Sequence, residues 1–296
     1  MRQKKPVFAI TVSALLCAMA KVTLASEACH NTQLHIPTPA PGSMGGREFA
    51  HHVADLQGAA RDAEVRSELL AGNLPEHLRH LAPVTLTGRD GNGAPLAVTF
   101  CVMPDYLSVG SDSDSLLVPM GLPTALEVAS DFGSVLPTPR VVDAIYEAAD
   151  LKLTPEPLPA SNEMRSTEYV VRHDELIAQQ RALLDAPENA LTAGHKKDLV
   201  LSDRLLSIPG RVAIYGWHWA AHHPIQPLST VHGAQYADYS HGVRLMSPII
   251  YVNGIPRQFL DALRDPTLTR LLGGDGARIG LQLQGLVSVL QQRNPK

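Results

Sequence analysis

The sequence has few aromatic residues, few cysteines and no clustered positive charge. Phe, Trp and Tyr make up 5% of the 296 residues, and three cysteines are present. The formal net charge is −4, and no run of Lys or Arg follows the N-terminal end. This charge balance argues against a nucleic-acid or anionic-membrane partner. The one long apolar run, "PVFAITVSALLCAMA", is shorter than the roughly 20 residues that a membrane-spanning helix needs, so we expect no stable membrane insertion.

The N-terminal end resembles a secretory signal peptide. Arg2, Lys4 and Lys5 precede the apolar run, and small residues follow it in "KVTLASEACHN". A basic segment, a short apolar segment and small residues at a cleavage site are typical of such a peptide. We predict that residues 1–25 are removed and that the mature protein is secreted or periplasmic. Cleavage after Ala28 and a retained N-terminal anchor are the alternatives.

Two cysteines remain after this cleavage, Cys29 and Cys101. Disulfides persist in the oxidising compartments that secreted proteins enter, so we predict a bridge between them. The alternative makes Cys101 a nucleophile. It lies in the β-like run "LAVTFCVMPDY", whereas reactive thiolates usually lie at helix N-termini or beside cations.

The hydrophobic pattern predicts an α+β fold with N-terminal helices, a mainly antiparallel sheet and a helical C-terminus. Residues 26–46 are rich in Pro, Gly, Ser and Thr, which predicts an extended lead-in. We interpret residues 47–296 as a single domain, with one candidate subdomain boundary near residue 155 in "LKLTPEPLPASNEM". Helical spacing predicts helices at about 47–56, 60–71, 75–81 and 170–185, and in "LPTALEVASDF", "TPRVVDAIYEAA", "PRQFLDALRDPTLTRLL" and "GLQLQGLVSVLQQ".

The predicted strands are separated by turn residues. The segment "VTLTGRDGNGAPLAVTFCVM" contains Asp-Gly and Asn-Gly pairs between two β-rich runs, which predicts a hairpin. Thr138 and Pro139 predict the start of a helix as cap and first residue. Further strands are predicted in "KDLVLS", "GRVAIYGWH" and "GVRLMSPIIYV".

Histidine is concentrated in the part of the chain predicted to form these last strands. Catalytic residues are often held on strand ends and connecting loops by a rigid scaffold. We therefore expect the functional site here. Six of the 13 histidines lie in this part, namely His195, His218, His222, His223, His232 and His241.

A metal-free hydrolytic relay is the first interpretation of this region. In "YADYSHGVRL", Asp238 and His241 are three residues apart, with Ser240 between them. A carboxylate that orients an imidazole, and an imidazole that moves a proton, are the minimal parts of such a relay. The structural alternative has Asp238 capping a turn and His241 bonding a backbone carbonyl. The candidate catalytic residues are His241, His218 and His195 with Asp238 and Asp198, the nucleophiles Ser134 and Ser240, and Lys197 as anion or oxyanion partner.

The same region offers residues for binding a substrate. Tyr236 and Tyr239 are flat and amphipathic, which suits a sugar or peptide groove, although packing under the loop is the alternative for at least one of them. Arg244 could hold a carboxylate or an oxyanion bidentately. The candidate substrate-binding residues are therefore Tyr236, Tyr239, Arg244, His232 and Trp217.

No cofactor is favoured, and zinc is the one that we leave open. His218 and His222 have the spacing of two zinc ligands on a helix, but Trp219 stands where a metalloprotease has its Glu. If zinc is bound, His232, Asp238 and His241 are the candidate ligands, because imidazole and carboxylate groups coordinate it.

Two resemblances bear on function. "KKDLVLSDRLLSIPGRVAIYGWH" resembles the strand pair of papain-like cell-wall amidases of the NlpC and CHAP type, which implies amide hydrolysis by a Cys and a His. This chain has Arg211 where the strand-opening His would stand, and its corresponding helix offers Ser134 and no Cys. "PDYLSVGSD", "LPTPRVVDAIY", "GHKKDLVL" and "YADYSHGVRL" are similar to a group of secreted bacterial proteins without an assigned activity, which implies a shared extracytoplasmic domain.

We therefore expect a secreted hydrolase that acts on an amide or peptide bond of cell-envelope material through a His and Asp site. A non-catalytic periplasmic protein that binds glycan or peptide is the alternative. A zinc-dependent hydrolase is the second alternative. The expected partner is a cell-envelope polymer or peptide.

Overall fold

The computed structural model describes residues 23–90 and 92–272. Helices and mainly antiparallel sheets combine in the α+β arrangement that the sequence predicts. The predicted signal peptide up to residue 22 and the predicted helix in "GLQLQGLVSVLQQ" lie outside these residues. The helices are α1 at residues 23–30, α2 Gly46–His52, α3 Gly58–Leu70, α4 Leu122–Asp131, α5 Pro139–Ala148, α6 Thr167–Leu183, α7 Arg204–Ser207, α8 Phe259–Ala262 and α9 Pro266–Leu272, with 3-10 turns at Glu76–Arg79 and Asn162–Arg165.

The strands are short and belong to four small sheets. They are β1 Ala82–Arg89, β2 Pro95–Val102, β3 Ser108–Ser111, β4 Asp114–Leu117, β5 Leu151–Lys152, β6 Thr192–Ala193, β7 Lys197–Leu199, β8 Ile214–Ala220, β9 His223–Ser229, β10 His241–Gly242, β11 Ile249–Val252 and β12 Ile255–Gln258. None of the helices in the described ranges is long and apolar enough to cross a membrane.

The first sheet has the order β1-β2-β11-β12 and is antiparallel throughout. Its β1–β2 pair is the predicted hairpin. The Asp90 carboxylate accepts hydrogen bonds from the backbone N–H groups of Asn92 and Ala94, at 2.9 and 2.8 Å. A short polar side chain that bonds its own backbone in this way stabilises a turn.

The second sheet has the order β10-β7-β8-β9, in which β10 is parallel to β7 and the other pairs are antiparallel. The sequence pattern does not predict β9, because Pro224 and Pro227 are typical of loops. Proline lacks the N–H that a central strand must donate, but it is tolerated on an edge strand. In the structure β9 is that edge strand.

One main hydrophobic core holds these sheets and helices together. It includes Phe100 and Val142 before residue 155, and Leu199 and Ile250 after it, all largely excluded from solvent. The core therefore continues past the candidate subdomain boundary. A second, small cluster consists of Leu151, Leu153, Ile177 and Ala190.

A disulfide joins Cys29 to Cys101, as predicted, and so ties α1 to β2. Both cysteines are buried, and in this form Cys101 carries no free thiol. The start of the lead-in is helical rather than extended. Thr32 Oγ1 and Asn31 Nδ2 donate to the carbonyls of Ala28 and Glu27 and satisfy the end of α1.

The starts of α5 and α6 differ in how they are capped. Ser166 Oγ accepts the backbone N–H of Tyr169 at 3.2 Å and caps α6. Pro139 is in the first turn of α5, as predicted, but Thr138 makes no side-chain cap there. Its Oγ1 donates instead to the carbonyl of Leu272, which places α9 beside the start of α5.

Candidate functional site

The pairing of β7 with β10 determines which predicted site residues come together. Lys197 pairs with His241, and Asp198 pairs with Gly242. Successive side chains of a strand point to opposite faces, and paired residues share a face. Lys197 and His241 therefore lie on one face of the sheet, and Asp198 lies on the other.

Asp238 is a buried carboxylate that receives three hydrogen bonds. Its Oδ1 accepts from the backbone N–H and the hydroxyl of Ser240, at 2.9 and 2.5 Å. Its Oδ2 accepts from the hydroxyl of Tyr236 at 3.0 Å. Burial by itself raises the pKa of Asp238, but the nearby His241, the bonds from Ser240 and the charge of Lys197 together bring this pKa below its usual value. The carboxylate is therefore ionised at neutral pH.

His241 lies beside this carboxylate and is fully buried. Its Nε2 is 3.9 Å from Oδ2 of Asp238, which is too far for a hydrogen bond. Neither ring nitrogen has a hydrogen-bond partner among the residues that the structure describes. Burial lowers the pKa of His241 to about 4, and the charge of Lys197 acts in the same direction, while Asp238 opposes the shift. At neutral pH the site therefore contains an uncharged imidazole next to an ionised carboxylate.

An aromatic pair covers His241. The rings of His232 and Tyr236 stack with their centroids 4.0 Å apart, and Tyr236 meets His241 edge-on at 5.7 Å. Burial and the charge of Asp238 raise the pKa of Tyr236 to about 12. The hydroxyl thus stays protonated and donates to Asp238. The guanidinium of Arg165 also lies over the Tyr236 ring, 5.6 Å from the ring centroid.

The side chain of Lys197 lies over the ring of Trp217. Its Nζ is 4.9 Å from the ring centroid, within the range of a cation–π contact. Trp217 has a φ of 59°, which is unusual for a bulky residue. Backbone strain of this kind persists where the surrounding structure enforces it, often at functional sites. The backbone of β8 therefore holds the ring that positions Lys197.

The other face of the sheet holds a buried network around Asp198 and His195. Tyr106 donates its hydroxyl to Oδ2 of Asp198 at 2.9 Å, and burial raises the pKa of Asp198 to about 6. His195 Nε2 is 3.1 Å from Oδ1 of Asp105, whose Oδ2 accepts from Arg181 at 2.9 Å. Although burial opposes it, the neighbouring His195 and Arg181 depress the pKa of Asp105. Asp198 and His195 therefore lie apart from the face that carries His241.

His218 has a third environment, between β8 and α5. Its Nε2 is 3.1 Å from Oδ1 of Asp143, and the same oxygen accepts from the hydroxyl of Tyr215 at 2.8 Å. The imidazole stacks on the ring of Tyr146 at 4.7 Å. His218 thus lies beside Asp143. Of the predicted carboxylates it lies near Asp198, since a Cβ on Gly216 would be 3.1 Å from Oδ2 of Asp198 and 3.6 Å from Cε1 of His218. No sequence signal singled out Asp143.

The predicted nucleophiles do not hydrogen-bond to His241. Ser240 Oγ donates to Asp238, while both ring nitrogens of His241 have no hydrogen-bond partner. Ser134 Oγ donates to the carbonyl of Ala129 at the end of α4. The structure therefore does not assemble a Ser–His pair from Ser134 or Ser240 with His241.

Two predicted binding residues are engaged within the protein. Arg244 is buried and donates to the carbonyls of Met103 and Thr192, at 2.7 and 2.5 Å. The Tyr239 hydroxyl accepts from the backbone N–H of Leu158 and donates to its carbonyl. Both side chains thus fix the fold rather than line an open groove.

The alternative zinc ligands do not come together. Among the described residues, one group of three His, Cys or carboxylate side chains has its ligand atoms within 4.8 Å of one another, and it consists of His77, Asp112 and Glu188. Asp238 and His241 are separated by 3.9 Å, but the rings of His232 and His241 are 6.4 Å apart at their centroids. A zinc site at His232, Asp238 and His241 is therefore not formed in this conformation.

Comparison of the chain with protein-family models, with curated proteins and with solved structures finds no match in any of the three.

Proposed function

We propose that the protein is a secreted hydrolase of an amide or peptide bond in cell-envelope material, with His241 as general base. The observation that carries this proposal is the state of His241. It is a buried imidazole with neither nitrogen hydrogen-bonded, beside the carboxylate of Asp238 and across the strand pair from Lys197. Perturbed titratable groups that converge in this way are typical of catalytic sites.

The protonation states leave His241 able to accept a proton at neutral pH. With a pKa of about 4, His241 is uncharged and can accept a proton. Asp238 is ionised and stabilises the imidazolium that forms. The bonds from Ser240 and Tyr236 hold this carboxylate in place, so these two residues act as positioning residues.

Water is the nucleophile in this mechanism, because no side chain of the described residues hydrogen-bonds to His241. His241 takes a proton from a water molecule while the oxygen of that water attacks the carbonyl carbon of the substrate. The carbonyl oxygen becomes an oxyanion, and Lys197 supplies a positive charge on the same face of the sheet. His241 then returns the proton to the leaving nitrogen, the C–N bond breaks, and a carboxylic acid and an amine are released.

Access to His241 passes the stacked rings of His232 and Tyr236. The side chain of His241 is 0% exposed, whereas His232 and Tyr236 are half-buried. Substrate binding in this proposal displaces the ring of His232, while Tyr236 keeps its hydrogen bond to Asp238 and its flat ring holds a sugar or peptide. The setting is extracytoplasmic, which the Cys29–Cys101 disulfide supports.

The test is to incubate purified protein with peptidoglycan and to measure both new amino groups and new reducing ends. We expect new amino groups, because amide hydrolysis releases an amine. His241→Ala should reduce the rate by at least about 100-fold, the usual loss when a general base is removed. His222→Ala is the matched control, since His222 is on the β8–β9 turn of the same sheet and 63% exposed. Equal loss in both variants, or reducing ends without amines, would contradict the proposal.

A binding function is the second candidate, and the cation–π contacts favour it. Arg165 lies on the ring of Tyr236, and Lys197 lies on the ring of Trp217. Positive charges on flat rings suit a peptide or glycan that carries a carboxylate, with no catalysis required. Cosedimentation with peptidoglycan that Lys197→Met weakens, in the absence of any released amine, would support binding over hydrolysis.

A further inference from the structure

A second polar cluster lines an open pocket of about 260 Å³ that does not include His241 or Asp238. The pocket lies between the β3–β4 hairpin, α6 and the 3-10 turn Glu76–Arg79. Most of its charged side chains are carboxylates. The charged and imidazole residues of the lining are His77, Asp105, Asp112, Asp114, Asp174, Arg181 and Glu188.

Three of these side chains have the arrangement of metal ligands. A ligand atom of His77, one of Asp112 and one of Glu188 lie within 4.8 Å of one another. A point between three atoms that lie so close is at most about 2.8 Å from each of them. Small rotamer changes would shorten these three distances to the 2.0–2.2 Å of zinc bonds to nitrogen and oxygen. The three residues come from distant parts of the chain, so the fold itself brings them together.

The imidazole distinguishes this group from an ordinary acidic surface. The side chain of His77 is only 15% exposed, and its Nδ1 is 2.8 Å from Oδ1 of Asp112. The same oxygen accepts the backbone N–H of His77 at 3.2 Å. The imidazole is therefore held at the pocket wall with a nitrogen facing the carboxylates.

The positive charge in the pocket is already engaged. Arg181 Nη1 is 2.9 Å from Oδ2 of Asp105 and also bonds the hydroxyl of Thr192. Its Nη2 donates to the backbone carbonyl of Glu188 at 3.2 Å. Arg181 thus holds the loop that carries Glu188, and its positive charge forms an ion pair with Asp105.

We propose that His77, Asp112 and Glu188 bind a divalent transition-metal ion, with zinc as the best-suited ion. Imidazole nitrogen suits zinc and its neighbours in the first transition series, whereas calcium and magnesium prefer oxygen ligands alone. Three protein ligands leave a fourth position open towards the pocket, as in catalytic zinc sites. This site uses none of the residues proposed for hydrolysis and stands independently of that proposal.

The test is a zinc titration of the purified, chelator-treated full chain by calorimetry. We expect one zinc ion per chain. His77→Ala and Glu188→Gln should each weaken binding by more than about tenfold, because even loss of an outer-shell partner of a ligand costs about that much. His80→Ala is the matched control, because His80 follows the same 3-10 turn and is 70% exposed. Unchanged far-ultraviolet circular dichroism of the variants establishes that they fold.

Each outcome decides the proposal. A stoichiometry of one ion, together with loss of affinity in the His77 and Glu188 variants alone, supports the site. Absence of zinc uptake overturns it. Uptake that His80→Ala or His241→Ala removes, and His77→Ala does not, places the metal elsewhere and also overturns it.

Discussion

Lys197 and His241 are cross-strand partners in the parallel pair of β7 and β10. An ammonium group and an imidazole thus share one face of the sheet. The carboxylate of Asp238 lies beside this imidazole, with its Oδ2 3.9 Å from Nε2 of His241. Burial is the largest cause of the low pKa of His241, and Lys197 lowers it further, whereas Asp238 raises it. Burial therefore sets the low pKa of His241, and the charges of Lys197 and Asp238 adjust it in opposite directions.

The first prediction concerns the titration of His241. In the wild type its pKa is about 4. Lys197→Met should raise this pKa, because it removes a positive charge that disfavours the imidazolium. Asp238→Asn should lower it, because it removes the opposing carboxylate. Heteronuclear NMR of the imidazole across pH 3–8 measures both, and shifts in the same direction for the two variants would contradict the assignment.

The second prediction concerns stability in acid. The pKa of His241 is about 4 in the folded protein against 6.5 as the ordinary value. Between these values the unfolded chain binds a proton that the folded chain does not, so stability falls as the pH falls from 6.5 towards 4. The full shift corresponds to a loss of about 3 kcal/mol, of which about 2 kcal/mol falls between pH 7 and pH 4.5. His241→Gln should remove that part of the pH dependence, which urea unfolding at pH 7 and pH 4.5 measures.

The other buried histidines serve as the background for this comparison. Burial also lowers the pKa of His173 and of His195, so both add to acid instability in the wild type. These contributions stay in the variant and cancel in the difference. An unchanged pH dependence in His241→Gln would mean that His241 is not the neutral, desolvated group described above.

Local signals in the sequence predicted the elements that depend on short-range physics. The Asp-Gly and Asn-Gly pairs predicted the β1–β2 hairpin, because such pairs adopt the backbone angles of tight turns. The strand-like runs "KDLVLS" and "GRVAIYGWH" predicted β7 and β8. The concentration of His, Asp and Tyr near residue 240 predicted a site at Asp238 and His241, which are only three residues apart.

Partners that are distant in the sequence could not be predicted. Asp143 bonds His218 across 75 residues, and α5 and β8 must pack before the two meet. Arg165 reaches Tyr236 from a separate 3-10 turn. The hydrogen-bond partner of the Ser240 hydroxyl could not be predicted either, since sequence spacing does not reveal whether this hydroxyl bonds Asp238 or His241.

The third prediction concerns Gly242, which faces Tyr106 across the sheet. A Cβ at this position would lie 2.7 Å from Cδ1 of Tyr106 and 2.9 Å from Cβ of Lys196. Gly242→Ala should therefore displace Tyr106 from Asp198 and destabilise the protein by about 1–3 kcal/mol, the usual cost of overpacking. Gly233→Ala is the control, since its Cβ would meet nothing closer than 4.0 Å. Equal unfolding midpoints in denaturant for the two variants would contradict this packing argument.

The last prediction concerns the disulfide between Cys29 and Cys101, which are 72 residues apart. Closing so long a loop restricts the unfolded chain, and native disulfides of this kind contribute about 2–4 kcal/mol to stability. Replacing both cysteines by alanine should lower the free energy of unfolding by that amount, as measured by chemical denaturation. A reducing agent should destabilise the wild type and leave the double variant unchanged. Sensitivity of the double variant to reduction would contradict this assignment, because Cys17 is then the one cysteine left in the sequence and cannot form a bridge within the chain. The bridge is the covalent link between α1 and β2, so its reduction should destabilise the wild type. A wild type that is insensitive to reduction would therefore contradict the prediction.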